Sequence, residues 1–259
     1  METLLYIESL SVSFDGFMAL QNLNMILERT ERIRLLIGPN GAGKTTLFDV
    51  LTGHVAPIAG RVLFKDVQSL LGPPPHAIAN LGVIRKFQTP SVFPGHTVFD
   101  NMLLATGRKH FRSTISTLGT SGERDRIAGV LEQVGLLAQA GGLAGTLSHG
   151  QKQWLEIAML LVQEPTLLLL DEPVAGMTRP EKEKTSALLE DIVARSSCSI
   201  MLIEHDMEFV RTIARRGHRV TVLHEGTVLS EGSLDRVQAD EQVIEAYLGR
   251  GRVRVEEPV

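Results

Sequence analysis

The chain has 259 residues, 43% of them hydrophobic and 22% charged, and a formal net charge of -4. That is length enough for one large α/β domain or two small ones with a sizeable core, and the balance is that of an ordinary folded protein, not a disordered one. The charge lacks the basic surplus of a general nucleic-acid binder, and the single cysteine, Cys198, leaves no intrachain disulfide and points to a reducing compartment. Met1-Glu2-Thr3-Leu4 does not open a secretion signal, having no basic region followed by an apolar one. The most apolar stretch, Leu155 to Leu170, is interrupted by Glu156, Gln163, Glu164 and Pro165, so it is not expected to span a bilayer.

Taken in chain order, the first third reads as strands at Leu5–Leu10, Leu23–Leu27 and Arg32–Ile37, with turns at Asp15-Gly16 and Glu28-Arg29-Thr30. A helix is predicted over Lys44–Leu51, ended by Gly53, and Gly72-Pro73-Pro74-Pro75 marks a surface break. From about Thr97 to Leu161 the pattern turns helical: Thr97 and Asp100 form a capping pair, and Ile127, Val130, Leu131 and Val134 keep helical spacing. The stretch Gly107–Gly122 is polar and basic and is expected to be an exposed loop or ragged helix, and Gly141-Gly142 with Gly145 reads as a flexible hinge. A second α/β run follows: strand Leu167–Leu170, helix Pro180–Ala194, strand Ile200–Ile203 and helix Glu208–Arg215. A hairpin of Val220–Leu223 and Val228–Ser230 turns at His224-Glu225-Gly226-Thr227, and a last helix at Glu241–Leu248 ends at Gly249. Alternating buried strands and helices predict a mainly parallel sheet, with the helical middle as an insertion.

Three segments carry chemistry. Gly38-Pro39-Asn40-Gly41-Ala42-Gly43-Lys44-Thr45 fits G-x-x-x-x-G-K-[ST] at every fixed position, between a buried strand and a helix. Glycines let the backbone curl so that several N–H groups converge on a phosphate, and the helix adds its positive N-terminal end. Lys44 then reaches the β- and γ-phosphates and the Thr45 hydroxyl ligates Mg²⁺. Second, Asp171-Glu172 follows the apolar strand Leu167–Leu170, at the carboxyl end where open α/β sheets bind ligands; Asp171 suits the Mg²⁺ shell, and Glu172 suits the general base for an attacking water. The chain shows no Asn-Lys-x-Asp guanine-reading element, which disfavours a GTPase. Third, Leu147-Ser148-His149-Gly150-Gln151 reads two ways at once: Ser148 and Gln151 make a capping box for the helix that runs to Val162, and a serine-capped N-terminus beside a glycine is also an anion site.

With these segments the chain resembles the ATPase subunits of ABC transporters, over about Leu4 to Gly249. The resemblance implies an α/β P-loop NTPase fold with a mainly parallel core sheet, an N-terminal antiparallel β portion and an inserted α-helical subdomain. It places the core at 3–88 and 161–250 and the insertion at about 89–160, in a single ATP-binding domain. It implies ATP and Mg²⁺ as cofactors, the nucleotide being held by Gly38, Pro39, Asn40, Gly41, Ala42, Gly43, Lys44, Thr45 and Thr46. Ser148, Gly150 and Gln151 would close on the nucleotide of a second ATPase subunit in a head-to-tail dimer. Gln88, in Arg85-Lys86-Phe87-Gln88-Thr89, would sense Mg²⁺ and water and face the membrane subunit, and His205, in Ile203-Glu204-His205-Asp206, would contact the γ-phosphate. Phe14 matches the aromatic that stacks on adenine, with Phe17 competing for that role or Phe14 lying in the core.

The sequence departs from the usual family pattern at two places. His149 stands where the signature has glycine, and Thr178, in Pro173-Val174-Ala175-Gly176-Met177-Thr178, stands at the usual aspartate. Both departures resemble the ATPases of branched-chain amino acid and urea importers. The stretches 148–156, 175–178 and 243–249 look most like the urea member. The resemblance therefore implies a peripheral subunit on the cytoplasmic face of a membrane, energising uptake of urea, or alternatively of branched-chain amino acids. Its partners would be membrane permease subunits, a second ATPase chain (identical or related) and, indirectly, a solute-binding protein, with no nucleic acid. A soluble ABC ATPase acting on DNA or ribosomes is disfavoured by the single P-loop and the lack of sustained heptads, and a non-hydrolysing module by Glu172.

Overall fold

A computed structural model describes residues 2–86, 92–106 and 121–248. The elements in chain order begin with β1 (Thr3–Phe14), β2 (Phe17–Glu28), β3 (Ile33–Ile37), α1 (Lys44–Leu51), β4 (Ala59–Phe64), β5 (Gln68–Ser69), α2 (Pro75–Asn80) and β6 (Val83–Lys86). The helices α3 (Val98–Thr106), α4 (Ser121–Gln133) and α5 (His149–Leu161) follow. The rest are β7 (Leu167–Asp171), α6 (Arg179–Arg195), β8 (Ser199–Ile203), α7 (Met207–Ala214), β9 (Arg219–His224), β10 (Thr227–Gly232), α8 (Leu234–Gln238) and α9 (Glu241–Leu248). The chain packs as two compact units, Met1–Ile78 with Met201–Val259, and Ala79–Ile200. The expected helical insertion at 89–160 falls within the second unit, which also takes in β6, β7 and α6.

In the first unit β1 and β2 form a long hairpin. Its two-residue turn has Asp15 at φ 48° and Gly16 at φ 88°, the paired left-handed conformation that matches strand twist. β4 lies antiparallel on the other side of β1, with Leu5 opposite Phe64, and β5 completes a sheet ordered β2-β1-β4-β5. Alternate residues of the hairpin face inward, among them Leu5, Ile7, Leu20, Leu23 and Leu27. Both strands run well beyond the apolar segments expected, because their outer positions are polar and their ends carry no apolar run. β3 is buried at all five positions and runs parallel to β9, with Ile37 beside Val222, while β10 returns antiparallel.

Arg34 is fully buried in β3, and two carboxylates meet its charge. Its Nη2 donates to Glu31 at 2.5 Å and its Nη1 to Glu231 at 2.6 Å, with Thr221 Oγ1 accepting at 2.9 Å. Only loss of both carboxylates would leave the buried cation uncompensated, and the cluster ties β3 to β9 and β10 at the root of the glycine loop.

In the second unit β6 and β7 are parallel, with Lys86 beside Leu170. α3 starts at the expected capping pair: Asp100 N donates to Thr97 Oγ1 at 3.0 Å and Thr97 Oγ1 to Asp100 Oδ2 at 2.6 Å. α5 and α6 are joined through Trp154, whose Nε1 donates to Thr185 Oγ1 at 2.9 Å and whose ring lies 4.3 Å beneath Lys184 Nζ. The glycines expected to form a hinge are tied down instead. Gly142 N donates to Gln139 O at 2.8 Å, Gly142 O accepts from Val98 N at 2.9 Å, and Gly145 N donates to Pro94 O at 3.0 Å. Most of the basic stretch 107–122 lies outside the described residues.

Candidate nucleotide site

In the first unit β3 empties into a loop that only glycine can trace. Gly38, Gly41 and Gly43 have φ of 149°, 80° and 96°. Any side chain at Gly38 would run into the Leu223 carbonyl, and a Cβ at Gly43 would lie 2.6 Å from both Ala19 O and Leu20 Cδ2. The loop closes on itself through Ala42 N to Pro39 O at 3.2 Å and is pinned from outside by Gly226 N to Ala42 O at 3.1 Å. α1 begins at Gly43 with no acidic residue in its first turn, so no carboxylate of that turn competes for its positive end. Lys44 is buried, and its Nζ arches back over the loop to Gly38 O at 2.8 Å and Pro39 O at 2.9 Å. Asn40, Gly41 and Thr45 are exposed, Pro39 and Thr46 half-buried, and Ala42 buried. This is a cradle of backbone amides and one ammonium, shaped for phosphate.

Phe14 and Phe17 face each other across the hairpin end and are 46% and 66% exposed, so Phe14 is not core. Both rings remain available for stacking. His205 is exposed just after β8, on a turn held by a carboxylate that sequence reasoning did not single out. Glu204 is 3% exposed, and its Oε2 accepts from His205 N at 3.1 Å and Asp206 N at 3.4 Å. Asp206 in turn caps α7 by accepting from Phe209 N at 2.9 Å.

In the second unit β7 ends at Asp171, which is 1% exposed. Its Oδ2 accepts from Arg85 Nη2 at 3.2 Å, within an ion pair buried on both sides, while its Oδ1 has no hydrogen-bond partner among the described residues. A buried carboxylate oxygen left unmatched is costly, and a cation is the natural occupant of its lone pairs. No group of three His, Cys, Asp or Glu side chains among the described residues could hold a metal ion by itself. The unmatched Asp171 oxygen fits Mg²⁺ in the form usual for nucleotide sites, bound by one or two carboxylates together with phosphates and water.

Glu172 is half-buried and left-handed, with φ 47°. That conformation costs a non-glycine residue about 1–2 kcal/mol, so the surrounding turn must impose it. Ala175 N donates to Glu172 O at 3.2 Å and Met177 N to Val174 O at 3.1 Å, closing the turn. α6 then starts at Thr178, whose N and Oγ1 donate to Glu181 Oε2 at 2.9 and 2.7 Å. The Thr178 amide and hydroxyl hold the Glu181 carboxyl below the usual carboxylate range.

The capping box expected at α5 is formed: Gln151 N donates to Ser148 Oγ at 3.2 Å and Ser148 N to Gln151 Oε1 at 2.9 Å. Gly150 is buried beneath Glu181, whose side chain would clash with any Cβ there. The expected site residues thus divide between the units. Phe14, residues 38–46 and His205 belong to the first, and Ser148, Gly150, Gln151, Asp171 and Glu172 to the second, while Gln88 lies outside the described residues.

A glycine loop of this shape between a buried strand and a helix, in a chain that also carries a buried strand ending in Asp-Glu, defines a P-loop nucleotide-binding protein. The sequence profile described as "ABC transporter" matches residues 20–175, and one described as "Branched-chain amino acid ATP-binding cassette transporter" matches residues 227–253. The high-affinity branched-chain amino acid transport ATP-binding protein LivG of Escherichia coli K12 is 38% identical over 96% of this chain and 98% of its own length. BraF of Pseudomonas aeruginosa, which bears the same description, is 35% identical over 95% and 98%. The crystal structure of the ADP conformation of MJ1267, an ATP-binding cassette of an ABC transporter, superposes with a TM-score of 0.82 at 28% identity, covering 96% of this chain and 99% of that one. The chain belongs to the ABC transporter ATP-binding family, with its α/β P-loop fold and mainly parallel core sheet. It is an ATPase of the LivG/BraF type, in which ATP hydrolysis is coupled to transport. Among the described residues no helix is long and apolar enough to cross a membrane.

Proposed function

We propose that this chain is the ATP-hydrolysing subunit of an importer for branched-chain amino acids. The observation that carries the solute class is the description shared by relatives that align end to end, together with the C-terminal profile match at residues 227–253. The urea reading rests on the short stretches 148–156, 175–178 and 243–249. The relatives and the C-terminal match favour the alternative.

In this reading the amides of residues 38–46 and the Lys44 ammonium bind the β- and γ-phosphates, and Phe14 or Phe17 stacks on the adenine. Thr45, Asp171 and Gln88 would be the ligands of Mg²⁺, to which the unmatched Oδ1 of Asp171 is suited. When bound, Mg²⁺ neutralises charge developing on the phosphate oxygens. Glu172 accepts the proton of the attacking water, and His205 donates to the γ-phosphate. Ser148, Gly150 and Gln151 present the N-terminus of α5 to the nucleotide of a second ATPase subunit, identical or related. Gln88 relays the nucleotide state to permease subunits in the membrane, on whose cytoplasmic face the ATPase sits and which a solute-binding protein loads from the other side.

An ATPase subunit does not touch the solute, so the solute acts only by favouring the hydrolysing state of the whole complex. The test reconstitutes this chain with its permeases and binding protein in liposomes and compares ATP turnover with leucine and with urea. Stimulation by leucine and not urea is expected. Stimulation by urea alone would overturn the solute assignment and leave the ATPase in place.

A further inference from the structure

The two departures from the family pattern lie far apart in sequence, and the fold brings them into one cluster. His149 is the first residue of α5 and is exposed. Its Nε2 lies 3.0 Å from the carbonyl oxygen of Ala175. A carbonyl only accepts, so Nε2 carries the proton and donates. The amide of the same Ala175 donates to the carbonyl of Glu172 at 3.2 Å. The imidazole therefore holds, by its carbonyl, the residue whose amide closes the turn that keeps Glu172 at its left-handed φ of 47°. The ring also lies against Gly176, at φ 72°, where a Cβ would stand 3.1 Å from Nε2. Two residues on, Thr178 starts α6 and engages Glu181, which in turn packs over Gly150. A glycine at position 149 could make none of these side-chain contacts.

We propose that His149 is a positioning residue for Glu172, acting through Ala175. It ties the N-terminus of α5 to the turn that carries the base, both within the second unit. The proposal rests on the reading of Glu172 as general base. Signature helix and base then move together, so that closure of the dimer and alignment of the base become one event. Thr178 fits the same scheme: with the turn held from within the subunit, a hydroxyl that caps α6 takes the place of the aspartate usual there.

The test uses the full-length chain in its assembled transporter, with His149→Gly, His149→Gln, Glu172→Gln and the double variant His149→Gly/Glu172→Gln. His149 is exposed, and unfolding temperatures check that each variant is folded. His149→Gly is expected to lower kcat by about 10- to 100-fold, the range for a catalytic group displaced by up to an ångström, with KM for ATP unchanged. His149→Gln, whose amide N–H can reach the same carbonyl, is expected to recover most of the rate. In the double variant the loss should equal that of Glu172→Gln alone, because the base that His149 aims is already gone. An unchanged kcat in His149→Gly, no recovery with glutamine, a change in KM alone, or a further loss in the double variant would each overturn the proposal. Normal turnover in Glu172→Gln would instead remove the base assignment, and the proposal with it.

Discussion

Glu172→Gln is expected to abolish most ATP hydrolysis while leaving ATP binding intact. Glutamine keeps the length and hydrogen bonding of glutamate but cannot take a proton at neutral pH. The turn around position 172 is set by backbone bonds, Ala175 N to Glu172 O among them, so the substituted side chain should be presented as the native one is. What is lost is positioned base catalysis, worth about 10²–10⁴-fold. A subunit that binds ATP and cannot spend it should accumulate as the ATP-bound dimer. Phosphate release gives the first quantity, and a sizing column run with ATP gives the second. Near-normal turnover would remove Glu172 from the role.

Lys44→Ala should act one step earlier, on nucleotide affinity itself. The Lys44 ammonium is buried and already desolvated, held over the loop by the Gly38 and Pro39 carbonyls. A hydrogen bond to a charged group is worth about 1.5–3 kcal/mol, which sets a loss of about 10- to 100-fold in ATP affinity. The same substitution frees two carbonyls of the loop, so its unfolding temperature without nucleotide separates a damaged loop from a missing cation. Equilibrium binding of a fluorescent ATP analogue reads the affinity. Wild-type affinity in Lys44→Ala would contradict the placement of the phosphates in the cradle.

What was legible in the sequence was whatever a short stretch of backbone decides by itself. The glycine loop, the apolar strand ending in Asp171-Glu172, the Thr97–Asp100 and Ser148–Gln151 caps and the Asp15-Gly16 turn are local, and each stands where its residues placed it. What failed to show depends on residues distant in sequence. β6 carries Arg85 and Lys86 at positions that are buried, a pattern no apolar strand presents. They are tolerated because Asp171 meets Arg85 and Glu156 meets Lys86, the latter at 3.1 Å, and neither partner is legible from the strand itself. The Glu204 carboxylate accepts from the backbone of the turn at His205, a role that no local pattern displays. The link from His149 to Ala175 crosses from one helix N-terminus to the loop before another. The glycines at 141–145 resembled a hinge because composition does not reveal that Pro94 and Val98 would bond to them. The solute is not legible for a different reason: short signature stretches resemble the urea member, whereas the relatives that align along the whole chain are described as branched-chain amino acid transport proteins.

Whether the chain hydrolyses ATP as a nucleotide-bridged pair is read from phosphate release by the purified chain as a function of its own concentration. A sizing column first locates the concentrations over which ATP converts monomer to dimer. Across that range release is expected to require Mg²⁺, to stop with EDTA, and to have a rate per chain that climbs with the dimer fraction, as it must if the α5 N-terminus of one subunit completes the site of the other. No release with Mg²⁺ and ATP, or a rate per chain that stays flat while monomer becomes dimer, would contradict it.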